Sequence, residues 1–257
     1  MYHAVAHAPA PAAHGLSVAP GAFAEQMEVL DEQGFTPVTT AQLGAAWRGG
    51  PALPPKPVLI TFDDGYEGVH GHALPVLAKH GFTATVFVTT GWLRGPYDTG
   101  GALDTMLDWP QVRDLAAAGL EIGAHSHTHP QLDQLPEDDL WRELLRPREI
   151  VEAELGTRPA SLAFPYGYSD RAVRSTVRGA GYAQSLAVGN TLARRPQGPY
   201  ALRRLTVSRS TTAQEFAAIV EGRLIFRTFA RDRTLTKGYA VVRRTRQVRR
   251  KAARHRV

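Results

Sequence analysis

Two carboxylates stand side by side at Asp63-Asp64, and three imidazoles fall within five residues at His125, His127 and His129. Adjacent residues of an extended chain point to different sides. One aspartate can therefore hold a cation while its neighbour addresses a substrate. His125 and His129, four apart, suit two ligands of one metal. With one aspartate they make a two-His, one-carboxylate set, which leaves coordination positions open for water and substrate. His127 lies between them and is expected to point elsewhere. The chain has no cysteine, so any metal must be held by His, Asp or Glu. Each pattern also has an ordinary reading. Asp-Gly between apolar runs is a turn signal, and a histidine-rich loop can simply be polar and solvated.

The elements that must position these residues are read from a recurring pattern. An amphipathic stretch ends at a glycine and a β-rich run follows. Phe23, Met27 and Leu30 precede Gly34 and then FTPVTT; Leu74, Leu77 and Ala78 precede Gly81 and then TATVFVTT. The same order recurs before Gly119 and LEIGAH, Gly156 and ASLAF, and Gly181 and AQSLAV. Glycine ends a helix in the left-handed conformation without steric cost. Helix, glycine, strand, repeated, indicates βα units and a parallel sheet. Further strands are expected at 58–62, at 202–207 and at the opening YHAV. The predicted fold class is therefore α/β, a single β/α barrel, distorted or incomplete, with seven to eight parallel strands. An open doubly wound sheet is the competitor, but no Gly-x-Gly-x-x-Gly or phosphate loop is present. Pro147 predicts a break or kink in the long helical stretch 138–155. In such folds chemistry sits where strands end. VLITF runs into Asp63-Asp64-Gly65, LEIGA into the histidines, and LAF into Pro165-Tyr166-Gly167.

At 257 residues and 43% hydrophobic content the chain has enough apolar matter for a substantial core. Its net charge of +6 is unevenly spread. Residues 223–257 carry 13 basic residues and one acid, leaving 17 basic and 23 acidic residues before them. The predicted division is thus a catalytic domain over 1–222 and a basic extension over 223–257, partly helical or disordered. Like-charged tails often act as interaction arms. This one is expected to contact an anionic surface such as a membrane, an acidic cell-wall polymer or nucleic acid.

Taken together, TFDDG (61–65), HSHTH (125–129) and LAFPYG (162–167) resemble the motifs of the NodB-type polysaccharide deacetylases, carbohydrate esterase family 4. The last matches the variant ending Pro-Tyr-Gly. The resemblance covers roughly residues 1–222. It is nearest to the poly-N-acetylglucosamine deacetylase subgroup, which opens with a Tyr-His strand like Tyr2-His3. The resemblance implies metal-dependent hydrolysis of the N-acetyl group of an amino sugar, with release of acetate. It implies Asp63 as general base, and Asp64, His125 and His129 as ligands of a divalent metal, zinc foremost, with cobalt, nickel, iron and manganese as options. It assigns the Tyr166 backbone N–H to the oxyanion site and His3 to protonation of the leaving amine. The only histidine after residue 129 is His255, in the basic tail, which also directs attention to His3.

The chain departs from the common family pattern in places. Ala163 stands where the third motif usually has an arginine, and Arg203 or Arg204 is the expected replacement. The late Asp-x-x-x-Trp and Leu-x-x-His motifs are not visible. Trp92, Tyr97, Trp109 and Tyr168 are candidate sugar-stacking residues, Trp109 being better suited to packing at a helix start. Competing functions are a non-haem iron oxygenase, which shares the ligand set but usually sits on a double-stranded β-helix, and an inactive carbohydrate-binding protein, against which the retained Asp63 and Asp64 argue. Nucleic-acid binding is confined to the tail, since the body is acidic. No apolar run approaches a membrane span. The opening residues lack the signature of a signal peptide. The expectation is a cytoplasmic protein, with peripheral membrane or cell-envelope association through its tail, unless the true start lies upstream with an export signal.

Overall fold

A computed structural model describes residues 1–232 and, beyond them, 234, 239, 240, 242, 243, 245 and 246. At its centre five parallel strands lie in sequential order: β5 (Thr61–Phe62), β6 (Thr85–Val88), β7 (Glu121–Ala124), β8 (Ser161–Ala163) and β9 (Gln184–Leu186). Two less regular segments extend this sheet. Tyr2 bridges Phe62 in parallel, just before β1 (Ala4–Val5), and Leu202 bridges Leu186 on the other edge. The two segments also meet. The Met1 nitrogen donates to the Leu205 carbonyl at 2.9 Å, and the Val207 N–H donates to the Met1 carbonyl at 2.9 Å. Hydrogen bonds thus run around the whole ring, from the first segment through β5–β9 to residues 202–207 and back.

Short parallel pairs flank the ring: β1 with β2 (Ser17–Val18), and β3 (Thr36–Pro37) with β4 (Pro57–Val58). The stretch 58–62, read as one strand, is therefore divided. Its start pairs with β3 and its end joins the ring.

The helices are α1 (Pro20–Glu32), α2 (Thr40–Trp47), α3 (Leu74–Lys79), α4 (Trp109–Ala117), α5 (Glu137–Leu155), α6 (Arg171–Gly179), α7 (Ala213–Val220) and α8 (Ile225–Thr228). The α1 residues Phe23, Met27 and Leu30 are all fully buried against Phe62, Val86 and Val88. That burial explains why the helix stays on the sheet. The break that Pro147 allows is absent. Helix α5 runs through Pro147 without a break. Proline cannot donate to the Glu143 carbonyl one turn earlier. Leu140, Leu144, Pro147, Ile150 and Val151 form its buried face, and that packing holds the helix across the missing bond.

Residue 222 does not end the packed body. Ile225 and Phe229 are buried with Ile219, and Leu192 and Leu205 pack against them. Most of the basic tail, including 247–257, lies outside the described residues. No helix among the described residues is long and apolar enough to cross a membrane.

Candidate active site

The strand ends bring the singled-out residues to one end of the ring. Asp64, His125 and His129 offer ligand atoms that all lie within 4.8 Å of one another. Asp64 Oδ1 is 3.3 Å from His125 Nε2 and 3.3 Å from His129 Nε2. Donor atoms about 2.0–2.1 Å from one tetrahedral ion stand about 3.3 Å apart, so the spacing suits a zinc-like centre. Asp64 Oδ1 is also buried without a hydrogen-bond partner of acceptable geometry. An orphaned carboxylate oxygen facing two imidazoles is the mark of a ligand set rather than a solvated turn.

His125 Nδ1 lies 2.8 Å from the Ala163 carbonyl oxygen. The proton therefore sits on Nδ1, and Nε2 presents its lone pair to the centre. Burial pushes the His125 imidazole down, but Asp63 and Asp64 outweigh it and the net direction is up. Burial likewise pushes Asp64 up, and its contacts with His125 and His129 carry it well below the usual carboxylate range. The field that favours a proton on His125 is the field that draws a cation.

Asp63 faces another partner. Its two carboxylate oxygens accept from Arg204 Nη1 and Nη2, both at 2.7 Å, in a buried bidentate pair. Burial raises the Asp63 pKa, and the Arg204 guanidinium with His125 and His3 more than offsets it, so the carboxyl is held below the ordinary range. Of the two arginines named from sequence, Arg204 enters the site and Arg203 is exposed. Asp63 Oδ2 stands 4.0 Å from His125 Nε2, beside the ligand set but not in it.

The loop 125–129 is tightly tied. The His129 N–H donates to Ser126 Oγ at 3.0 Å. Glu143, on α5, accepts from the His127 N–H (2.8 Å), the Thr128 N–H (2.9 Å) and Thr128 Oγ1 (2.6 Å). Sequence reasoning missed Glu143. Its position mid-helix carries no local signal, and only the fold brings it under the loop. His127 turns toward Thr90, 2.9 Å from its Oγ1. Four non-glycine residues with positive φ gather here: Asp64 (76°), Ser126 (63°), His129 (61°) and Tyr166 (59°). Asp and His tolerate this region; for tyrosine it is an outlier of the kind that clusters at functional sites.

Tyr166 sits in the turn Pro165–Gly167. The N–H groups of Gly167 and Tyr168 close that turn on the Phe164 and Pro165 carbonyls, so the Tyr166 N–H is not needed to close it. Tyr166 is 52% exposed, and its ring stands 4.8 Å from the His129 ring. His3 follows Tyr2, whose carbonyl accepts from the Asp63 N–H at 2.9 Å, so His3 is at the level of the acids. Burial lowers the pKa of its imidazole against the pull of Asp64 and Asp63, and its Nδ1 is buried without a partner.

Of the four aromatic candidates, Trp92 and Trp109 are buried, and Tyr97 and Tyr168 are half-buried. Trp92 is buried against His129, with ring centroids 4.6 Å apart. Trp109 is buried at the start of α4 and meets Tyr97 edge-on. Tyr168 lies under Arg243.

Comparison with known proteins adds four findings. A Bacillus subtilis protein, YxkH, named as a candidate polysaccharide deacetylase, is 25% identical over 86% of this chain and 75% of its own length. The Escherichia coli poly-beta-1,6-N-acetyl-D-glucosamine N-deacetylase is 35% identical over 43% of this chain, a region amounting to 18% of the Escherichia coli protein. The Streptococcus pyogenes deacetylase PplD, solved with acetate, superposes with a TM-score of 0.74 at 23% identity, over 84% of this chain and 93% of that one, a likeness of fold. The polysaccharide deacetylase family model matches residues 50–185, just over half of the chain. That span contains Asp63, Asp64, His125, His129 and Tyr166, while His3 and Arg204 fall outside it. With the parallel ring behind them and the acids and imidazoles gathered at its end, this match makes the chain a member of the polysaccharide deacetylase family.

Proposed function

We propose that the chain hydrolyses the N-acetyl group of an acetylated amino sugar within a glycan, with poly-N-acetylglucosamine as the first substrate to try. The observation that carries this is the pairing of two sets at one ring end: the ligand set Asp64, His125 and His129, and beside it the ionised, arginine-held Asp63. The Escherichia coli relative, named for its action on poly-beta-1,6-N-acetyl-D-glucosamine, supports the choice of polymer.

A divalent ion held by Asp64, His125 and His129, zinc foremost, supplies Lewis-acid polarisation of the amide carbonyl and acidifies water. Asp63 accepts the proton of the attacking water. The Tyr166 N–H donates a hydrogen bond to the oxygen that becomes negative as the carbonyl carbon turns tetrahedral. When the C–N bond breaks, the amine nitrogen needs a proton, and His3 delivers it. The products are acetate and the free amine. Burial lowers the His3 pKa, which eases release of its proton to the amine, and the proton that Asp63 takes from the attacking water returns through solvent to replace it. We further propose that exposed basic residues of the extension, such as Arg231 and Arg246, favour an anionic surface around the substrate.

The test is acetate release from oligomers of poly-N-acetylglucosamine, chitin and peptidoglycan, with and without chelator. Activity lost to chelator and restored by added zinc, cobalt or another divalent ion is expected. Asp64→Ala and His125→Ala should lose metal and activity together. Asp63→Asn and His3→Ala should keep the metal and lose turnover, by about 10²–10⁴-fold for an acid–base group. Full metal content in the ligand variants, or undiminished turnover in Asp63→Asn, counts against the scheme.

A further inference from the structure

Two loops frame the site: the stretch that follows His129, and the turn that carries Tyr166. Each also makes contacts with the same distant piece of chain. Tyr239 Oη lies 3.1 Å from Gln131 Nε2. Arg243 Nη1 lies 2.7 Å from Asp133 Oδ2, and both side chains are nearly covered. On the other loop, the Arg243 guanidinium stands 3.5 Å from the centre of the Tyr168 ring, and the Tyr239 ring is 5.7 Å from it. Tyr168 stacks on Tyr166 at 6.0 Å and 21°, and Tyr166 leans on His129 at 4.8 Å. Gln131 is two residues from His129, and Tyr168 is two residues from Tyr166.

A free basic arm would not look like this. Its arginines would be solvated, and a surface ion pair would contribute little. Arg243 instead combines a covered ion pair with a stack on an aromatic face, a combination that the planar guanidinium allows and an ammonium does not. A row of rings, Tyr239, Tyr168, Tyr166 and His129, then connects this anchor to the centre.

We infer that Tyr239 and Arg243 are positioning residues for the active site: they clamp the His129 loop to the Tyr166 turn, and so hold the Tyr166 N–H in place. The inference rests on the deacetylase reading for its kinetic consequence, though not for the clamp itself. Neither residue touches the reacting atoms. They act through Tyr168 and Gln131. Tyr166 needs such support because its own backbone conformation is unfavourable and the residue is largely exposed.

The experiment uses the full chain with Arg243→Ala, Arg243→Lys and Tyr239→Phe. It reads kcat and KM on an N-acetylglucosamine oligomer, metal content, and amide hydrogen exchange over residues 126–134 and 164–169. In Arg243→Ala, kcat should fall about tenfold, a part of the 10²–10³ that outright loss of an oxyanion donor costs. KM and metal content should hold, and exchange in both loops should quicken. Arg243→Lys keeps the charge opposite Asp133 and should recover part of kcat. Tyr239→Phe loses only its hydroxyl contact and should quicken exchange near Gln131. A kcat within twofold of the parent in Arg243→Ala overturns the proposal, whatever the exchange shows. So does unchanged exchange in both loops. If the parent releases no acetate from any oligomer, the deacetylase reading fails instead, and the exchange data alone judge the clamp.

Discussion

Asp63 and Asp64 are sequence neighbours with opposite surroundings. Asp64 meets two imidazoles, and Asp63 meets a guanidinium. Both groups are buried, so what separates them is the partner each has. Arg204 is therefore the foremost partner lowering the pH down to which Asp63 stays ionised. Burial alone pushes Asp63 up, and Arg204, joined by His125 and His3, brings it below the ordinary range. The carboxylate form is then present at neutral pH and is lost only as pH falls through the lowered value. Weakening the pair must raise that value and move the loss to higher pH. In Arg204→Lys the acid limb of kcat/KM should shift upward in pH while the metal stays bound. An acid limb that does not move in the folded variant would separate Arg204 from the base. Arg204→Ala is a harsher change, because a buried charge left unpaired costs about 3–5 kcal/mol, and it should show first as lost stability.

At the scale of elements, the turn Pro165–Gly167 links backbone to chemistry. Gly167 has φ 73°, and a Cβ there would meet Val188 Cβ at 2.5 Å. Gly156, ending α5, has φ 72° and open space around its Cβ position. Alanine at either pays about 1–2 kcal/mol for the left-handed conformation. Only Gly167→Ala also shifts its neighbour Tyr166. Thermal melts should drop in both variants, while kcat should fall in Gly167→Ala alone, with metal content intact. Equal kcat in the two variants would detach the turn from catalysis. Much at this scale was readable beforehand. The helix–glycine–strand rhythm located every ring strand from β6 to β9, and the spacing of His125 and His129 pointed to one centre. Other features were not readable. The choice between Arg203 and Arg204 depends on the register of a segment with no strand periodicity. Glu143 lies 14 residues past His129 on a helix, and only tertiary packing returns it to the loop. Pro147 predicts a break or kink by its local chemistry, and the packing of the buried face of α5 keeps the helix continuous through it.

For the whole molecule, the ring closes between residues far apart in the chain. Met1 and Leu205 are joined across 204 positions. This closure gives the site a history. Asp64, His125 and His129 belong to β5–β7 and the loops after them, which are consecutive and pair with their immediate neighbours. His3 and Arg204 ride on the two segments expected to meet last, since distant contacts pay the larger loop-closure cost. The proposed metal ligands can thus gather while the ring is still open, and the groups that tune and complete the proposed acid–base pair arrive with its final joint. In refolding with zinc present, metal uptake should run ahead of the return of activity, and the lag should lengthen when Val207, at the seam, is exchanged for glycine. Simultaneous return would mean that the ring forms in one step. A polypeptide emerging residue by residue would, on this account, carry a loaded but idle centre until its seam is stitched, so hydrolysis would begin only in a finished molecule.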